Sequence, residues 1–302
     1  MYKYIFLFFS FGALLFQSCD EDSFSQVVKI DVPDHESKPA IRFAVEVNNP
    51  EVLSALISNS KGILDPMTDY KTPADAEVKL FRNGELLTQL QYNETTVYYE
   101  DPDSVLIRDT EGDVYLFEAK LEGFDKVSAT QTMPAKPIIT NATFEEDGTI
   151  DSEGYRADEV VVDISDPNPD KTNYFAIRLF NTQYPIDING DTLDGIRQMM
   201  YLGSNDPLLA YGGNYGLLFT DKSFPGGTFQ ARAYSYNYTS DDSEINVEIL
   251  SITEEAYLYS LSLEQYYEAV DNPFAEPVTV PSNIEGGYGF FSLANSTIVK
   301  VR

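Results

Sequence analysis

Apolar and polar residues alternate over short stretches of this 302-residue chain, and that period of two is what most narrows its fold. Ile41, Phe43, Val45 and Val47 alternate with Arg42, Ala44 and Glu46, and Ala76, Val78 and Leu80 alternate with Glu77 and Lys79. Only an extended strand sends successive side chains to opposite faces, so each stretch reads as a strand with one face against a core. Asn83-Gly84 then separates the second stretch from Glu85–Leu90. This dipeptide suits the two positive φ angles of a type I′ turn, which makes the pair a hairpin. Val114–Leu121 predicts a further strand, and Pro134-Ala135-Lys136-Pro137 breaks the pattern. Residues 39–135 are therefore predicted to form an immunoglobulin-like β-sandwich.

Residues 138–302 predict a second, larger β-sandwich or barrel-like domain. Strands are expected at Val160–Ile164, Tyr174–Phe180, Gly216–Thr220, Thr228–Tyr238 and Ile245–Ile252, with turns at Asp166–Asp170, Asn189-Gly190 and Pro225-Gly226-Gly227. One helix is predicted over 252–271. Ser251 is placed to cap it, Glu254 to complete a capping box, and Tyr259, Leu263, Tyr267 and Val270 recur at helical spacing. Asn272-Pro273 should end it, and its stripe should cover an open edge or face of the second sheet. A terminal strand is expected at Ser296–Val301, preceded by a glycine-rich aromatic segment, Gly286–Phe291.

The start of the chain addresses location. Lys3 precedes an apolar run, Tyr4–Phe16, and Phe16-Gln17-Ser18-Cys19 sets a small residue before the only cysteine. Residues 1–18 are expected to be a lipoprotein signal peptide, because a transmembrane helix needs about 20 apolar residues. Cys19 would carry the lipid, and 19–38 would be the acylated N-terminus and tether. Acyl chains at about 0.8 kcal/mol per buried CH₂ hold a domain at a membrane without any protein span. Asp20-Glu21-Asp22 resembles the acidic export signal of surface-exposed Bacteroidota lipoproteins, which implies an outer-membrane, cell-surface location.

Net charge is −29. Such a chain repels phosphates, so nucleic acid is excluded as a partner, and the membrane is met through the anchor alone. Catalytic constellations are scarce. His35 is the only histidine and falls in the expected tether, and Cys19 is taken by lipid, which leaves no Ser-His-Asp or Cys-His arrangement in the folded body. A pair of carboxylates could still hydrolyse glycosidic bonds, though 49 acidic residues do not single out a pair. Asp166–Asp170 and Asp187–Asp191 carry oxygen side chains at alternate positions, as a calcium loop does. Lys171 and Thr192 stand where that loop needs glycine, and Gln198 replaces the bidentate acid of the second, so both read as plain turns and no metal or cofactor is expected. Arg232, Tyr234, Tyr236 and Tyr238 share one face of a predicted strand. That ladder is either a surface that stacks on a sugar or peptide, or the core face of a sandwich with its hydroxyls at the rim.

The lipobox, Ser58-Asn59-Ser60, Ala76–Gly84, Asp166–Tyr174, Asn272-Pro273 and Ser282–Gly289 together resemble the Bacteroidota lipoproteins grouped as domain of unknown function 4249. The resemblance spans nearly the whole chain. Members are often encoded beside TonB-dependent outer-membrane receptors, which implies a non-catalytic accessory role in nutrient capture and such a receptor as partner. The resemblance implies no catalytic or ligand residues. Two alternatives stay open: a fimbrillin-like structural or adhesive subunit, released by proteolysis near Arg42 and joined by strand exchange, and a carboxylate-dependent glycan hydrolase.

Overall fold

The first alternating stretch forms β1, Pro39–Glu46, with Ile41, Phe43 and Val45 buried. This computed structural model describes residues 34–47, 53–62, 65–66, 72–185, 192–193, 195–236, 243–270, 272 and 274–302. β2 is Ser54–Asn59, β3 Glu77–Arg82, β4 Glu85–Asn93, β5 Tyr98–Glu100, β6 Val114–Lys120 and β7 Val127–Thr132. Asn83 and Gly84 take φ of 51° and 84° between β3 and β4, the hairpin the dipeptide predicts. β8 is Ile138–Ile150, β9 Arg156–Ser165, β10 Tyr174–Gln183, β11 Ile196–Met200, β12 Ala210–Tyr211, β13 Leu217–Thr220, β14 Thr228–Ser235 and β15 Glu244–Ile252. Helix α1 is Glu254–Val270 and the last strand, β16, is Tyr288–Lys300. The protein is mainly β and sandwich-like.

Thirteen strands form one sheet in the order β12-β13-β10-β15-β16-β1-β2-β5-β4-β3-β6-β7, with β11 also on β10. β16 is its pivot. It pairs in parallel with β1, Ala40 opposite Tyr288 through Glu46 opposite Ala294, and antiparallel with β15. Phe43 stacks on Phe291 with ring centroids 5.5 Å apart, and Phe117 of β6 meets Phe43 at 5.5 Å and Phe291 at 5.9 Å. This aromatic trio ties β1 and β6 to β16 around one core, which Ile57, Leu80, Tyr99, Tyr115 and Leu293 fill out. A separate three-stranded sheet, β14-β9-β8, covers the other half of the large sheet. Val160, Val162, Ile164, Ala231 and Ala233 from the small sheet meet Phe175, Ile177, Leu179, Phe219, Val247 and Ile249 from the large one.

Helix α1 lies on the opposite face of the large sheet, where Ala256 packs with Ala176, Leu250, Ile252 and Ala294. Tyr259 stacks on Phe290 at 4.1 Å. Beside the helix, buried Arg178 joins Glu46 at 2.8 Å and Glu248 at 2.9 Å, and Arg197 reaches Glu248 at 3.1 Å. The two carboxylates outweigh burial and raise the Arg178 pKa, so the guanidinium stays charged and ties β1 to β10 and β15.

Several expectations change. The 39–135 and 138–302 division does not appear as a break between compact units, because β16 is bonded to strands of both halves and Ser37–Arg302 clusters together. The terminal strand starts at Tyr288 rather than Ser296. Helix α1 starts at Glu254, not at 252. Ser251 is no cap, since it sits in β15 opposite Asn295, and the first helical bond runs from the Tyr257 amide to the Thr253 carbonyl at 3.1 Å. Glu254 instead accepts a bond from the Tyr174 hydroxyl at 2.6 Å. β8, which begins directly after the Pro134–Pro137 break, has no counterpart in the sequence pattern. The Asn189-Gly190 turn, Cys19 and Asp20-Glu21-Asp22 lie outside the described residues. No helix among the described residues is long and apolar enough to cross a membrane.

Gly289 holds the pivot together. Its φ is +101°, and a Cβ there would stand 1.8 Å from the Ile41 carbonyl oxygen. Gly289→Ala should therefore cost about 3 kcal/mol or more, through left-handed strain plus a backbone clash. A urea melt reads this as a lower midpoint, and a midpoint equal to wild type would refute the close approach.

Candidate functional site

The tyrosine strand leads to the site, though not as one ladder. β14 turns Ala231 and Ala233 toward the core, so Arg232, Tyr234 and Tyr236 point away from it. Arg232 is exposed and pairs with Glu159 at 3.0 Å. Tyr234 is nearly buried at 9% exposure, because Gly203 pairs with it across the outer edge of β14. The two exchange backbone bonds of 2.9 and 2.8 Å, and a Cβ on Gly203 would meet the Tyr234 ring at 2.4 Å. Glycine is needed there so that the ring can lie flat over the neighbouring backbone. Tyr238 lies outside the described residues. The core face of this strand is thus formed by Ala231 and Ala233 and not by the tyrosines, with Tyr234 packed under a covering segment and Tyr236 beside it.

Around Tyr236 three distant pieces of chain meet. Tyr201 follows β11, Tyr211 ends β12, and Asp151 opens the turn between β8 and β9. Tyr201 and Tyr236 have centroids 6.5 Å apart with planes 12° from parallel, Tyr211 stands 6.4 Å from Tyr201, and Tyr234 meets Tyr236 edge-on at 6.2 Å. Tyr201 is 56% and Tyr211 50% exposed, so both rings offer surface to solvent. With near-parallel planes and centroids 6.5 Å apart, Tyr201 and Tyr236 fall in the range of an offset-stacked pair, so the surface the cluster offers is the half-exposed outer part of Tyr201 and Tyr211.

The cluster is held from below. Asp151 Oδ1 accepts from the Glu153 and Tyr155 amides, both at 2.8 Å, and its Oδ2 accepts from the Tyr236 hydroxyl. The Tyr236 bond, with the turn amides, holds the Asp151 carboxyl below the usual carboxylate range. The same bond, more than burial, pushes the Tyr236 hydroxyl above its ordinary value. Ser235 Oγ donates to the Tyr201 carbonyl at 2.7 Å, Ser204 Oγ to the Arg232 carbonyl at 2.6 Å, and Asn205 Nδ2 to the Ile150 carbonyl at 3.1 Å. These bonds staple residues 201–205 to β14 and β8, which fixes the rings before any ligand arrives.

What the arrangement can do is bind. Rings with one wet face and one anchored edge suit the apolar face of a sugar or the side chains of an extended peptide. Of the two calcium-like turns weighed in the sequence, Asp187–Asp191 lies outside the described residues. Asp166 Oδ1 accepts from the Asn168 amide at 2.8 Å and Oδ2 from the Gly226 amide at 2.6 Å, so this carboxylate organises a turn. Among the described residues, no three His, Cys, Asp or Glu side chains gather as metal ligands would. Glu46 and Glu248 do lie close together, yet both are engaged by Arg178, which ties them up as counter-charges. His35 lies in an irregular segment ahead of β1. Tyr201, Tyr211 and Asp151 escaped the sequence reading because they reach Tyr236 only through the fold. The one local signal was the Asp151-Ser152-Glu153-Gly154 turn, where Gly154 takes φ of +92°.

Replacing Tyr236 by Phe removes the bond that lowers the Asp151 pKa. A carboxylate lowered in the folded state adds stability above its unfolded value of about 4, which is lost as pH falls through the folded value. In Tyr236→Phe the Asp151 midpoint should rise toward the ordinary range, and acid should loosen the turn at higher pH than in wild type. A carbon-detected NMR titration of the Asp151 carboxyl reads this, and an unchanged midpoint would refute the bond.

Comparison with known proteins gives the family. The sequence profile described as Domain of unknown function (DUF4249) matches residues 28–298, and no curated protein matches the chain. The chain belongs to the DUF4249 family.

Proposed function

Proceeding from that membership, we propose that the protein is a lipid-anchored, cell-surface accessory binding protein that presents a nutrient to a TonB-dependent outer-membrane receptor and performs no chemistry itself. The observation that carries the binding role is the stapled tyrosine cluster, Tyr201, Tyr211 and Tyr236 over Asp151. It offers recognition surface, and the carboxylate beneath it, Asp151, is taken up by the Tyr236 hydroxyl and the turn amides. The anchor and location rest on Lys3, the Tyr4–Phe16 run, Cys19 and Asp20-Glu21-Asp22. The receptor rests on the resemblance to Bacteroidota lipoproteins. The ligand class that suits the rings is a soluble oligosaccharide or an extended peptide, met by stacking and by the phenol hydroxyls.

The fimbrillin-like reading is less favoured by one feature. Release near Arg42 would cut β1 where it is bonded to β2 on one side and β16 on the other. The hydrolase reading has no favourable carboxylate pair in the cluster.

Two outcomes are expected. Gentle detergent extraction of the native outer membrane and capture by a C-terminal tag should bring down a TonB-dependent receptor, and Cys19→Ala should leave the protein in the soluble fraction without it. A lone protein, or a ladder of its own copies, would contradict the reading. Separately, oligosaccharides and short peptides titrated into the signal-free chain should change tyrosine emission, which no tryptophan obscures. Tyr201→Ser or Tyr236→Ser should weaken that binding about tenfold, as loss of one stacking ring does. Equal binding by both variants, or no response to either class, would remove the cluster as the site.

A further inference from the structure

The amphipathic stripe of α1 outruns the sheet that buries it. Tyr267 lies seven residues after Ser260 and eleven after Ala256, close to two and three whole turns, so all three point the same way. Ala256 is fully buried and Ser260 6% exposed, whereas Tyr267 is 59% exposed. Val270 is 57% exposed, Tyr266 41%, and Phe274, just past the helix, 94%. The helix thus carries aromatic and apolar side chains past its buried turns into solvent. Adjoining exposed apolar side chains of this kind mark an interaction surface.

Charge says what kind of surface would cover it. From Ala233 to Val299 the chain has no lysine or arginine and eleven acidic residues. The last turn of α1 has no basic residue and contains Glu268. A helix C-terminus already carries the negative end of the dipole, so an acid there is unfavourable within the isolated protein. Natural sequences break such local rules mainly where function compensates. The tether is a poor occupant because its six acids, Asp20, Glu21, Asp22, Asp31, Asp34 and Glu36, outnumber Lys29 and Lys38, and a second copy brings the same negative charge. We infer that the end of α1, Tyr266 to Val270 with Phe274, is a docking hook for a partner protein that offers an apolar socket rimmed by lysine or arginine. The rim cations pair with Glu264 and Glu268 and reach the last carbonyls of the helix, while Tyr267, Val270 and Phe274 fill the socket. This surface is separate from the tyrosine cluster, and the inference stands whether or not that cluster binds a nutrient or the partner is a TonB-dependent receptor.

The test places a photo-reactive phenylalanine analogue at Tyr267, and separately at Phe274, in the full chain in its native envelope. Irradiation should give one discrete cross-linked product. Its mapped peptide should be an apolar segment flanked by lysine or arginine. The yield should fall at least fivefold at 0.5 M salt and in a Glu264→Lys, Glu268→Lys double variant, while Tyr201→Ser leaves it unchanged. Thermal melts of the charge variant check that the fold is intact, and Glu268→Gln serves as the milder second variant. Cross-links only to residues 19–33, to another copy of this chain or to phospholipid would overturn the inference. So would the absence of any product, or a yield indifferent to salt and charge reversal.

Discussion

The parallel pairing of β1 with β16 joins residues from opposite ends of the body, and most of the remaining structure is arranged around it. Ala40 opposite Tyr288 closes nearly the whole chain into one loop, an entropic cost that grows only slowly with length but must be met before the pair exists. The Phe43, Phe291 and Phe117 rings supply the burial that opposes this cost at the same place. Because β16 is bonded on its other edge to β15, the contact that completes the first core also fixes the sheet beneath the second. The Glu46–Arg178–Glu248 brace repeats the link in charge, spanning from β1 to β10 across the two strands between.

This dependence explains why some of the fold was legible in the sequence and some was not. β1, β3 and β6 each have one face in a core, so alternation announced them, and Asn83-Gly84 named its own turn. β16 hid because both its faces are covered over Phe290–Ser296, by α1 on one side and the first core on the other, which erases the alternation. β8 hid for the opposite reason. It is an edge strand, mostly exposed, with register shifts and the acidic run Glu145-Glu146-Asp147 followed by Gly148. The helix was found, but its cap was misplaced because the sheet claims Ser251 through a pairing 44 positions away in sequence, at Asn295.

The candidate site follows the same logic. Alternation correctly put Arg232, Tyr234 and Tyr236 on one side of β14, whereas burial of Tyr234 required Gly203 and anchoring of Tyr236 required Asp151. Neither partner is visible from the strand alone. The small sheet therefore acts as the frame that gathers these pieces, and the large sheet holds that frame on one face and α1 on the other. The tyrosine cluster and α1 are thus carried on opposite sides of the large sheet.

The central claim is that β16 makes the two halves one cooperative body. Native-state hydrogen exchange at increasing urea, followed by mass spectrometry of peptides from β1, β6, β10 and β15, tests it most directly. The account predicts that all four join a single unfolding event with the same free energy and the same urea dependence. If the peptides of β1 and β6 open in a separate event, at lower cost than those of β10 and β15, the halves are independent and the claim fails.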